Sequence, residues 1–131
     1  HADTEPEFHE CTTEPEYIQN LVQAARESKE LEGTTAFVAL NAEAAARTAQ
    51  LLGEDSPTLI DEGDSLPNSG SILLTLPLAK GLEFDHVVIV DANKEDFPED
   101  DLSRRRLYTA ISRATSTVSV FSNGDLSPLL K

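Results

Sequence analysis

Residues 71–91 read SILLTLPLAKGLEFDHVVIVD, and this stretch decides the fold. Ser71–Leu76 and Asp85–Asp91 are short runs of mainly apolar residues, without the alternation of a half-exposed strand. Such runs mark strands buried on both faces, the condition of parallel strands in an α/β sheet. Between them the chain changes character. A strand ending at Thr75 is followed by Pro77, Lys80, Gly81 and Glu83. The glycine permits close backbone approach, and the two ionic side chains are forced outward at the edge of the sheet.

Outward from this core, strands and helices alternate. Tyr17, Ile18, Leu21, Val22, Ala25 and Leu31 recur at helical spacing, and Gly33 stands where a helix C-cap belongs, so a helix is expected from Glu16 to about Leu31. Thr35–Leu40 predicts another buried strand. Asn41 is a suitable N-cap for an alanine-rich helix through Leu52, closed by Gly53. Residues 54–70 hold two Pro and two Gly and read mainly as loop, with Thr58–Ile60 alone able to form a strand. Residues 100–114 predict a helix, Thr117–Phe121 a last strand, and Asn123-Gly124 a turn. Glu7–Cys11 is expected to pair as an edge strand. The alternation implies a three-layer α/β domain with a mostly parallel sheet. Ligands of such sheets bind beyond the carboxyl ends of the strands, which selects the segments after Leu40, Leu76 and Asp91.

Composition sets the bounds. The 131 residues suit one domain spanning 1–131, and 39% hydrophobic with 26% charged residues is ordinary for a globular chain. No apolar run approaches a membrane span and no signal peptide opens the chain, so a cytoplasmic location is expected. The lone Cys11 has no disulfide partner and reads as a free thiol. The chain starts at His1 and contains no Met, so we expect a fragment of a larger protein. A net charge of -14 argues against a nucleic-acid surface when taken alone. The acid is uneven, however. Residues 1–32 hold nine Asp or Glu against two Lys or Arg, while Arg104, Arg105, Arg106 and Arg113 cluster late, so any anion site should lie near them.

Those arginines belong to a second pattern, RRRLYTAISRA over 104–114. On a helix Leu107, Ile111 and Ala114 fall on one side, while Arg106 and Arg113 share another. Such a helix buries one face and presents guanidinium groups on the other. The plain structural alternative is a solvated arginine face.

The run Thr75–Asp85 resembles motif V of the UvrD-type superfamily 1 DNA helicases, and 104–114 resembles motif VI. Their order, with a strand and an acidic loop carrying Phe97-Pro98 between them, matches that family over about residues 71–122. The resemblance implies the second, C-terminal RecA-like domain of an ATP-dependent helicase, a P-loop NTPase-like fold without its own phosphate loop. No Gly-x-x-x-x-Gly-Lys-Ser/Thr sequence occurs in the chain. By the same resemblance Arg113 is the arginine finger reaching the ATP γ-phosphate, and Glu83 contacts the nucleotide ribose. Thr75, Lys80 and Gly81 lie along the single-stranded DNA path or beside the nucleotide cleft. Tyr108 and Arg105 brace the helix. The implied partners are single-stranded DNA and the N-terminal RecA-like domain of the same protein. ATP and Mg2+ would act in the full-length protein, with no cofactor and no activity in the isolated chain.

Two departures qualify this. Many members of the family carry His two residues after the motif V threonine, where this chain has Pro77. Forms with Leu-Ala-Lys-Gly-Leu-Glu-Phe-Asp and Tyr-Thr-Ala resemble the HelD branch, which introduces RNA polymerase as an alternative partner and a binding module without helicase activity as an alternative function. The family's upstream Tyr-Arg-Ser motif has no counterpart here. Val87–Asp91 imitates the strand and acid that hold magnesium in nucleotide hydrolases, but without a phosphate loop Asp91 reads as a strand-end residue. His9 and His86 read as ordinary strand-flanking residues, and no metal ligand set is expected.

Overall fold

A computed structural model describes residues 5–131. The elements are β1 (Glu7–Cys11), α1 (Glu14–Ser28), β2 (Thr34–Ala39), α2 (Ala42–Leu52), β3 (Thr58–Leu59), β4 (Gly70–Thr75), α3 (Leu76–Ala79), β5 (Phe84–Ile89), α4 (Asp101–Ile111) and β6 (Ala114–Asn123). Among the described residues the six strands form one sheet in the order β1-β6-β5-β2-β4-β3, and every neighbouring pair is parallel. The expected parallel α/β sheet is present. No helix among the described residues is long and apolar enough to cross a membrane.

Side-chain alternation along the central strands builds the three layers. Ala36 and Val38, Ile72 and Leu74, and Val87 and Ile89 face one way and join Leu76, Ala79 and Ala110 in one core. Phe37 and Ala39, Leu73, and Val88 and Val90 face the other and join Tyr17, Leu21, Ala25, Ala44, Ala45 and Leu52. Thus α1 and α2 cover one face, and α3 and α4 the other. Each large apolar side chain fully removed from water contributes roughly 1.5–3 kcal/mol. Burial on both faces explains why 71–76 and 85–91 read as unbroken apolar runs.

Local signals hold best where a cap is explicit. The Asn41 side chain accepts from Ala44 N at 2.9 Å and starts α2, and Gly53 closes it. Elsewhere the boundaries move. Helix α1 begins at Glu14, because the Thr13 hydroxyl accepts from Glu16 N and Pro15 fits the first turn. It ends at Ser28 with Lys29 as C-cap, and Leu31 is exposed. Gly33 is therefore not a cap. It enters β2 with φ +83°, and a Cβ there would collide with the Asp85 carboxylate, which is bonded to Thr34 N. Strand β6 is twice the expected length, since Ala114 pairs with Phe84 and Asn123 with Cys11. Its first residues, Ala-Thr-Ser, carry no apolar pattern, so only the partner strand defines them.

Just past β5, Asp91 adopts φ 53° and is buried. Its Oδ1 accepts from the Tyr17 hydroxyl at 3.0 Å, and the same hydroxyl accepts from Asp91 N at 3.0 Å. Oδ2 accepts from Arg47 at 3.1 Å. Burial, then the negative charge of Asp91, push the Tyr17 phenol far above its ordinary pKa, so it stays a donor. Both carboxylate oxygens are engaged, which makes Asp91 the strand-end residue expected. Tyr17→Phe removes one donor and one acceptor from this buried pair. The loss should be about 1–3 kcal/mol in urea unfolding, and a loss below about 0.5 kcal/mol would contradict this account.

Candidate functional site

A parallel sheet forces the position of the motif residues. Strand β4 ends at Thr75, so the chain must return across the sheet face before β5 can start at Phe84. The loop after β5 and helix α4 make the same return before β6 starts at Ala114. The two motifs therefore run side by side on one face, each from the carboxyl edge of the sheet to the amino edge. Thr75 and the start of α4 lie at the carboxyl edge, as expected. Glu83 and Arg113 do not. They sit at the opposite edge, beside the first residues of β5 and β6, because a crossover delivers its last residues to the amino end of the next strand.

At that edge the chain binds Arg113 closely. Helix α4 stops at Ile111 with Ser112 as C-cap, so Arg113 lies beyond the helix and does not share a helical face with Arg106. Its Nε donates to Thr109 O at 3.1 Å, Nη1 to Leu82 O at 3.3 Å and Nη2 to Ser112 Oγ at 3.2 Å. A guanidinium folded over the last turn bonds the Thr109 carbonyl there and complements the helix's negative end. Three of its five N–H groups are thereby engaged, leaving one on each terminal nitrogen. Phe84 N donates to Arg113 O at 2.8 Å, so the backbones flanking Glu83 touch Arg113 on both sides. Glu83 itself is exposed.

The other site residues lie along the return. Thr75 is the N-cap position of α3 but makes no capping hydrogen bond through its side chain. Pro77 stands in the first turn of this one-turn helix, where a missing N–H costs nothing. The helix was not expected from the sequence, because four residues carry no periodicity. Lys80 is extended and exposed, and Gly81 follows with φ +87°. No atom lies within 4 Å of where a Gly81 Cβ would be. The glycine thus serves a left-handed backbone, and its surroundings within the chain are open.

Two clefts open on this side. One, of about 370 Å³, is lined by Leu40, Pro77, Lys80, Leu102, Arg105 and Arg106. The other shares Pro77 and is lined by Thr75, Asp61 and Glu62. Lys80 is thus gathered with Arg105 and Arg106, while Thr75 faces the carboxylates of the loop before β4. Arg105 was expected to brace α4 together with Tyr108. Instead Arg105 is exposed in the cleft, and Tyr108 is 73% exposed. Helix α4 is anchored by Ser103, Leu107 and Ala110, which its register turns inward. Arg106, expected on a guanidinium face shared with Arg113, lines this cleft with Arg105 and Lys80 instead, and Leu102, to which the sequence assigns nothing, gains its place only from neighbours on another element. His9 stacks on Phe121 at 4.4 Å, and His86 bonds Thr117 at 2.7 Å. Both lie within strands, so neither joins the clefts.

The two glycines separate two kinds of constraint. Gly81→Ala should destabilise by about 1 kcal/mol, the cost of a left-handed alanine. Gly33→Ala meets the same conformational cost plus a collision with Asp85, so it should unfold at distinctly lower urea; equal midpoints would refute the distinction.

Residues 70–121 match the sequence profile of the UvrD-like helicase C-terminal domain family. The crystal structure of the C-terminal domain of a possible DNA helicase from Lactobacillus plantarum WCFS1 is similar with a TM-score of 0.83 and 28% identity, over 95% of this chain and 78% of that one. The C-terminal domain of the DEAD-box protein Dbp5 is similar at TM-score 0.61 and 12% identity, over 92% of this chain and 78% of that one. Truncated PRRSV nsp10, a helicase, gives 0.53 and 11% over 95% of this chain and 43% of that one. At such identities the last two show fold alone. No curated protein matches the chain. In fold the chain matches RecA-like helicase C-terminal domains, and its residues 70–121 carry the sequence pattern of the UvrD-like helicase C-terminal domain family.

Proposed function

We propose that this chain is the second RecA-like half of an ATP-driven nucleic-acid motor and supplies the arginine finger to ATP held by an N-terminal RecA-like half. The observation that carries the reading is the convergence of the two family-matched segments. The backbone on both sides of Glu83 contacts Arg113 at one exposed edge of the sheet. Glu83 would meet the ribose there, with Gly81 setting the turn that leads to it. Lys80, gathered with Arg105 and Arg106, would face single-stranded DNA; Thr75, the other contact the resemblance implies, lies beside Asp61 and Glu62 and is the weaker candidate.

The chain's own residues fit that division of labour. Arg113 keeps two N–H groups unengaged, the number a bidentate contact to a phosphoryl group uses. ATP, held by the N-terminal half, would supply the transferable phosphoryl group and Mg2+ its charge neutralisation. As the bond to the leaving group loosens, negative charge spreads over the phosphoryl oxygens, and a planar guanidinium matches that spread.

A second reading, a HelD-like ATPase or binding module on RNA polymerase, is favoured by Pro77 in place of a strand-contacting histidine and by the net charge of -14. None of the matched proteins named above is described as a HelD protein.

In the full-length protein, Arg113→Ala should leave ATP binding intact and lower hydrolysis by about 10³ or more, with Arg113→Lys recovering little. A change below about tenfold would remove Arg113 from the role. The 131-residue chain by itself should turn over no ATP, and clear turnover would overturn the division between two halves.

A further inference from the structure

The protein carries ten Lys and Arg against 24 Asp and Glu, so a cation without a carboxylate partner is the exception to be explained. Arg26, Arg47, Lys94, Arg104 and Lys131 each form an ion pair. Among the described residues this leaves Lys29, Lys80, Arg105, Arg106 and Arg113 unpaired. Three of these five, Lys80, Arg105 and Arg106, line the single cleft of about 370 Å³ beside α3. Two come from α4 and one from the end of α3, so the cluster is made by packing and not by a run of sequence. The nearby carboxylate of Asp100 is occupied elsewhere. It caps α4 by accepting from Ser103 N at 2.7 Å, which holds its pKa down with lesser help from Arg106 and Arg104.

We infer that this cleft is a single-stranded nucleic-acid site in which Arg105 and Arg106, with Lys80, hold successive backbone phosphates. The inference rests on the motor reading above and adds two arginines to it. Arg105 and Arg106 are adjacent on one helix, and Lys80 faces them across the cleft, so the three charges can take neighbouring phosphates of an extended strand. The remaining walls are apolar. Leu102 is 48% exposed at the rim, with Leu40 and Pro77 beside it, and an apolar surface next to cations suits the sugar and base of the same nucleotide. Guanidinium planes also stack on bases. The strand should pass on the Arg105 side of Pro77, because the cleft on the other side presents Asp61 and Glu62 beside Thr75 and repels phosphate. In this protein the grip on the backbone thus lies mainly with α4, where Pro77 offers no donor.

The test is titration of the 131-residue chain into a labelled oligothymidylate at several salt concentrations, read by fluorescence anisotropy. Arg105→Gln with Arg106→Gln should weaken binding about tenfold at low salt. It should also flatten the slope of log K against log salt by roughly 1.4, at about 0.7 per phosphate contact on a single strand. Lys29→Gln with Lys131→Gln removes the same charge at residues that do not line the cleft and should change affinity less than twofold. Equal weakening by both pairs, or no binding by the unaltered chain, would overturn the inference. So would displacement of the oligonucleotide by equimolar inorganic pyrophosphate, which would mark a small-anion site. Arg105 is exposed and Arg106 half-exposed, so both pairs should keep the parent thermal midpoint; for a destabilised pair, Lys80→Gln alone is read instead, with a slope change of about 0.7 expected and none overturning the assignment. The motor reading is judged separately by Arg113→Ala. A loss of hydrolysis there with no effect of the cleft variants would retain the motor and reject the cleft.

Discussion

Among the described residues every neighbouring pair of strands is parallel, and the arrangement of the candidate site residues follows from that constraint. A parallel connection cannot be a tight turn, so each strand is followed by a segment that crosses a face of the sheet. The crossing segments on one face are α3 and α4, and these contain both family-matched motifs. Each motif is therefore drawn out between two edges of the sheet. Its beginning is left where a strand ends, and its end is left where the next strand begins.

The same constraint places the charges. An exposed pair of crossing segments at the sheet's surface creates a cleft between them, and the side chains that enter it come from both. In a molecule with a net charge of -14, most cations near carboxylates pair with them, as Arg104 does with Asp101. Lys80, Arg105 and Arg106 form no ion pair: their neighbours across the cleft are Leu40, Leu76, Pro77 and each other, and the nearby Asp100 carboxylate caps α4. Excess acidity elsewhere does not cancel such a site at short range, since exposed charges beyond about 10 Å are screened at ordinary salt. An acidic protein can thus keep a local surface for phosphate.

Much of the domain was legible residue by residue. Doubly buried strands such as 71–76 need apolar side chains on both faces, and Asn41 and Gly53 bracket α2 because capping is chemistry between residues three or four apart. Where a boundary depends on a partner, legibility fails. Helix α1 ends before Leu31 although Leu31 keeps the helical period, because that side chain has no layer to bury against. Strand β6 begins at Ala-Thr-Ser, which carries no apolar alternation, since Phe84 lies alongside and supplies the ladder. Tyr108 shows the same limit: an aromatic residue reads as a helix brace, yet the register of Ser103, Leu107 and Ala110 turns it to solvent.

By itself, the sequence determined the parallel α/β architecture, the caps of α2 and the family pattern within residues 70–121, because each depends on side-chain types within a few residues of one another. Tertiary structure alone decided that Arg113 leaves the helix and lies against Leu82, that Glu83 and Arg113 share the amino edge of the sheet, and that Lys80 meets Arg105 and Arg106 while Thr75 meets Asp61 and Glu62. Residues 31 positions apart, as Leu82 and Arg113 are, become neighbours only when two crossovers pack on the same face. No local preference encodes that packing; burial of the shared apolar face does.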